Sequence, residues 1–162
     1  MSIAETLLPE FDQEMSITRR LLERVPTEKG TWKPHQKSFP LGHLAQLIAR
    51  MPGWITSAIR EPSMDLAEGA SYSFETTETL LKTFDDNVRG ARAAIASSKD
   101  EDLAGSWSLK RGTTVLFTAP RGAMVRNDIS HLVHHRGQLS VYLRLLDVPI
   151  PSIYGPTADE RM

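Results

Sequence analysis

Five histidines occur in the chain, His35, His43, His131, His134 and His135, and three of them fall within the run His131-Leu-Val-His-His135-Arg-Gly-Gln138. At about 100° per residue on a helix, His131, His135, Gln138 and Tyr142 follow steps of four, three and four along one narrow stripe. Leu139, Leu145 and Leu146 flank that stripe, while Arg126, Ser130, Gly137, Ser140 and Arg144 take the opposite, water-facing side. The pattern predicts a histidine pair directed into the protein. Burying a polar ring without a partner costs on the order of 1–3 kcal/mol, and a protonated ring costs more. Two imidazoles one turn apart also repel when both are charged. A divalent cation removes both penalties, because neutral imidazole is a preferred ligand and the ion keeps both rings unprotonated. Residues four apart on a helix have Cβ atoms roughly 5–6 Å apart, so both rings can reach one ion.

Two histidines make a weak site, and His43 is the candidate for a third ligand. On a second helix it shares a face with Leu47, Met51 and Trp54, beside Leu44. His35 lies in the loop before that helix, and His134 is rotated about 60° off the ligand stripe. Structural zinc is normally closed by four protein ligands, whereas a catalytic ion keeps one position for water or substrate; three histidines without cysteine fit the open kind. Gln138, Tyr142 and Asp128 are candidates to orient the ligands through hydrogen bonds. Each also has a plainer reading, Asp128 as a first-turn acid favoured by the helix dipole and the other two as core polar groups. The histidine pair itself, taken by spacing alone, also suits two hydrogen-bonded histidines of a core or its boundary. Trp32, Trp54 and Trp107 read as packing residues.

Four segments have the period that would position these side chains. Ala4, Leu8, Phe11, Met15, Thr18, Leu22 and Val25 line one face of a first helix, which Pro26 closes. A second helix opens near Ser38 to Pro40, carries Leu41, Leu44, Ile48, Met51 and Ile55, and fades before Glu61-Pro62. Thr76-Thr77-Glu78 starts a third, with Leu81, Phe84, Val88, Ala91 and Ile95 on its stripe. A fourth spans about Gly122 to Leu146, followed by a proline-rich tail from Val148 to Met162. Between residues 105 and 119, two short β-branched and aromatic runs around Lys110-Arg111-Gly112-Thr113 read as a small hairpin. The expected architecture is therefore all-α, a four-helix bundle with long connections and a short hairpin between the third and fourth helices, in one domain over residues 1–162.

Composition narrows the function. Forty per cent of the 162 residues are apolar and 24% charged, a globular balance. Nineteen Lys and Arg against twenty Asp and Glu give a formal charge of −1, which argues against nucleic acid as a partner. The absence of cysteine excludes disulfides, thiolate ligands and a cysteine nucleophile. No stretch approaches the ~18 apolar residues of a membrane-spanning helix, and the N-terminus lacks the basic and apolar regions of a signal peptide. A soluble, cytoplasmic protein is expected.

The run from His131 to Arg144, the tail Val148-Pro-Ile-Pro-Ser-Ile-Tyr154-Gly-Pro-Thr-Ala-Asp159-Glu, and the segment Trp32-Lys-Pro-His-Gln-Lys-Ser38-Phe-Pro-Leu-Gly-His43-Leu-Ala together resemble the DinB-like family, part of the DinB/YfiT-like superfamily of metalloenzymes. The likeness spans nearly the whole chain. It implies helices in up-up-down-down order, a homodimer, and a divalent ion, zinc or nickel, held by His43, His131 and His135. Characterised members of the superfamily include transferases and isomerases that use low-molecular-weight thiols. The expectation is a metal-dependent enzyme that activates water or a small-thiol cosubstrate for hydrolysis or group transfer. A non-catalytic, stress-related bundle with a structural ion and a metal-free helical interaction module are the alternatives.

Overall fold

The computed structural model describes residues 1–69, 71–74 and 76–161. Ser2 and Glu5 form a reciprocal capping box that starts helix α1 (Ile3–Leu22). A loop containing a 3₁₀ turn at Thr27–Lys29 leads into α2 (Leu41–Arg60). Thr76 caps α3 (Thr77–Ser97) by accepting from the Thr79 N–H at 3.1 Å. A short helix α4 (Asp100–Ala104) precedes the hairpin, and α5 (Arg121–Leu145) follows it. No helix among the described residues is long and apolar enough to cross a membrane.

Among the four long helices, α1 and α2 each pack against both α3 and α5, most extensively α2 against α3. Their shared core includes Leu7 and Phe11 of α1, Ile48 and Met51 of α2, Phe84 of α3, and Leu132 and Leu139 of α5. Each of these residues recurs at the three- and four-residue steps that put an apolar stripe on one side of a helix.

The expectation of an all-α four-helix bundle is overturned by a three-stranded mixed sheet, which makes the protein α/β. The expected hairpin is present as β2 (Ser106–Arg111) antiparallel to β3 (Thr114–Pro120). Gly112 turns it with φ of +59°, the left-handed region that glycine enters without a Cβ clash. A third strand, β1 (Ser63–Asp65), lies parallel to β2, Ser63 facing Ser108. Three residues are too few to show a two-residue alternation, and the strand's partner lies a whole helix further along the chain. Neither signal is local, so the sequence pattern passes over it.

The sheet closes the end of the helical layer where α2 finishes and α5 begins. Trp107 of β2 is buried against Ala58 of α2 and Met124 of α5. Arg121 locks the same corner, its guanidinium donating to the carbonyls of Ala58, Ile59 and Glu61 at 2.8, 2.8 and 2.6 Å, which would otherwise end α2 unpaired.

Candidate functional site

Helix α5 buries Val125, Ile129, Leu132, Arg136, Leu139 and Leu143 along one arc. His131 precedes Leu132 and so lies about 100° from that arc's middle. The expectation of inward-pointing histidines is corrected accordingly: His131 is exposed and His135 half-buried, at the flank of α5 that meets α2. The pair nonetheless converges. His131 Nε2 and His135 Nε2 are 3.0 Å apart, and the His131 ring leans on Trp54 of α2 with centroids 5.9 Å apart. That packing strips water from one side of the ring. Burial, followed by the neighbouring His135 and His134, lowers the His131 pKa and favours the neutral, lone-pair-bearing imidazole.

Two further side chains join them. Gln138 Oε1 is 2.8 Å from His135 Nδ1, and Gln138 Nε2 is 3.1 Å from His134 Nε2. His134 and Gln138 are exposed. Tyr142, one turn further on, is half-buried and meets the edge of Trp32 at 5.8 Å. Asp128 lies one turn before His131 and is buried.

His43 stands elsewhere. Its ring is stacked between Phe39 and Tyr72, with centroids 4.3 and 4.0 Å away and planes inclined by 18° and 14°. Burial, with Arg50 adding a like charge, lowers its pKa. Tyr72 is held over α2 by its neighbours, since Gln46 donates to the Ser73 carbonyl and Arg50 to the Ser71 carbonyl at 2.9 and 2.8 Å. Arg50 also lies 4.9 Å from the Tyr72 ring centre, extending the stack by a cation–π contact.

Two contacts fix how α2 and α5 align. Trp54 meets His131 near one end; at the other, Trp32 meets Tyr142 and its carbonyl accepts from the Leu41 N–H. The helices are antiparallel, and His43 is level with Tyr142. His135, seven residues before Tyr142, is then displaced by about 10 Å along the axis at 1.5 Å per residue. The structure brings His131 and His135 together and leaves His43 apart. Among the described residues, no group of three or more His, Cys, Asp or Glu side chains is placed to hold a metal ion. His35 sits in the preceding loop, its Nδ1 accepting from the Lys37 N–H.

A cleft of about 760 Å³ is lined among others by Arg50, Trp54, Glu61, Asp65 and Tyr72 and by neither histidine of the pair. A second, of about 510 Å³, is lined by Glu28, Lys33, His43, Tyr72 and Phe74. Trp54 joins the first cleft to the histidine pair, and Tyr72 borders both.

Arg136, inside the most distinctive motif of the sequence, is a buried residue that helical reasoning missed. Only 2% exposed, it pairs with Glu14 of α1 at 2.6 Å, donates to Thr18 Oγ1 at 3.2 Å and reaches the Tyr154 hydroxyl at 2.7 Å. Tyr154 in turn donates to the Glu14 carboxylate. The signal was available, because Leu132, Arg136, Leu139 and Leu143 repeat the same four-three-four rhythm as the histidine stripe.

Comparison with known proteins gives likenesses to a family, to a curated relative and to solved structures. The sequence profile described as the DinB family matches residues 1–161. A Bacillus subtilis (strain 168) protein named uncharacterized protein YrdA is 25% identical over 153 residues, covering 94% of this chain and 89% of its own. Crystal structures of DinB-like proteins from Bacillus subtilis (YjoA) and Bacillus cereus ATCC 10987 share the fold, each with a TM-score of 0.71, at 18% and 20% identity. The first alignment covers 96% of this chain and 99% of the other, and the second covers 93% and 97%.

Proposed function

This chain belongs to the DinB family, and from that premise and its paired histidines we propose that it is a divalent-metal-dependent enzyme acting on a small molecule. His131 and His135 would hold the ion, zinc or nickel, and His43 would complete the set. The observation that carries this reading is the 3.0 Å approach of two Nε2 atoms, with packing and the neighbouring histidines favouring the neutral form of the His131 ring. The pair suits an ion but His43 as placed does not: it is stacked between Phe39 and Tyr72 and lies about 10 Å along the helix axis from His135, so completing the set would require α2 to shift along α5. When bound at an open position, such an ion would lower the pKa of a bound water or of a small thiol, supplying a nucleophile at neutral pH.

The chain's own groups would do the rest. Trp54 offers an apolar wall between the pair and the larger cleft, where Arg50, Glu61 and Asp65 provide charges to orient a polar substrate. Asp128, a buried carboxyl titrating near neutrality, would hold a proton one turn from His131. With no cysteine of its own, the chain fits a scheme in which any thiol arrives as cosubstrate.

The test is elemental analysis of untagged protein. His43→Ala, His131→Ala and His135→Ala are each expected to lose the retained ion, and His134→Ala to keep it. The separation of His43 from the pair favours a second reading, a metal-free helical interaction module. Wild-type protein without stoichiometric metal, and with no uptake of zinc or nickel on titration, would support that module and refute the enzyme.

A further inference from the structure

We infer that Gln138, steadied by His134, is a positioning residue that sets which nitrogen of His135 carries the proton. A primary amide has one end that only accepts and one that only donates. Gln138 Oε1 is 2.8 Å from His135 Nδ1, so that nitrogen bears the hydrogen. The neutral His135 ring then has its lone pair on Nε2, which accepts from His131 Nε2–H 3.0 Å away. The amide by itself has no preference between this orientation and its 180° flip, which would offer NH₂ to His135 Nδ1 and move the ring proton to Nε2. His134 selects the first whenever its own Nε2 carries no proton: at 3.1 Å from Gln138 Nε2 it then accepts, which keeps the oxygen end turned toward His135. The spacing 131, 134, 135 and 138 brings the four groups onto neighbouring turns of α5, so the device needs no other part of the fold.

The use of this device rests on the metal reading, because with Nδ1 occupied by Gln138 an ion would take the unprotonated Nε2; its existence does not. Both His134 and Gln138 are exposed, so their substitution spares the core. The experiment is long-range ¹H–¹⁵N correlation on metal-free, ¹⁵N-histidine-labelled protein at about pH 8, paired with zinc competition titrations. His135 is expected as the Nδ1–H tautomer in the wild type and in Gln138→Glu, whose carboxylate also accepts from Nδ1. In Gln138→Leu the Nε2–H form should gain population, and in His134→Ala the same shift should follow in smaller measure. Zinc affinity should fall by about 10–100-fold in Gln138→Leu, the usual effect of removing a group that orients a ligand. A wild-type His135 protonated on Nε2, or a tautomer indifferent to Gln138→Leu, overturns the inference. A tautomer unmoved by His134→Ala overturns the part given to His134. A tautomer that follows Gln138 while zinc affinity stays constant upholds the inference and defeats the metal reading instead.

Discussion

Asp128 is 6% exposed, and burial raises its carboxyl from 3.8 to about 7, against a smaller opposing contribution from Asn127. A folded-state pKa above the unfolded one means that the native protein binds more protons between those two values, so stability is greatest below about pH 4 as far as this group is concerned and falls as pH rises through 7. Asp128→Asn imitates the neutral form permanently. Urea unfolding from about pH 4 to about pH 8 should show a flatter profile for the variant and a higher midpoint than the wild type at the alkaline end. An unchanged slope would mean that the carboxyl is solvated. Residues of this kind are only half legible from sequence. The histidine pair is, because a four-residue step on a helix brings two rings together whichever way the helix is turned. How far the pair faces inward is not, because that depends on which of two stripes the rest of the protein covers. Arg136 occupies the covered one, and an arginine there reads as solvent-facing until its partner Glu14 is known.

The tail after α5 is positioned by side chains of α1 and α5. Asp147 takes a left-handed φ of 57° and lets the Val148 N–H return to the Leu143 carbonyl at 3.0 Å, ending the helix. Asp159 then accepts from Arg144 and from the Ile150 N–H, Glu160 pairs with Arg20, and Tyr154 meets Arg136 and Glu14. Arg136→Ala would leave the Glu14 carboxylate buried without its partner, a loss expected to cost roughly 3–5 kcal/mol. Tyr154→Phe removes one hydroxyl and should cost about 1 kcal/mol. Denaturant midpoints measure both, and hydrogen exchange over residues 148–161 should rise in each; protection that survives Arg136→Ala would show the tail to be held by other contacts. At this scale the helices were the legible part, since each long one repeats its apolar stripe over about four turns or more. Prolines were less reliable punctuation: Pro26 follows α1 as expected, yet Pro9 and Pro52 lie inside helices. The strand β1 was illegible because parallel pairing joins segments with no signal between them.

For the molecule as a whole, the metal reading makes a demand that the fold alone does not. A ligand that binds only the native state at one hundred times its dissociation constant adds about 2.7 kcal/mol, which for a chain of this size raises the melting temperature by about 5–10 °C. Zinc or nickel should produce that shift in the wild type and none in His131→Ala or His135→Ala; equal shifts in all three would trace the ion to some other site. The family and the presence of four long helices could be read from the sequence, whereas the α/β character came from a sheet built on short, distant strands. The Glu14–Tyr154 contact has a last consequence for how such a chain is made. Its two ends are 140 positions apart, so during synthesis α1 emerges early with an acidic group whose proper surroundings do not yet exist. Until residues 136 and 154 have both left the ribosome, Glu14 lacks the partners that offset its burial and is better off in water than packed.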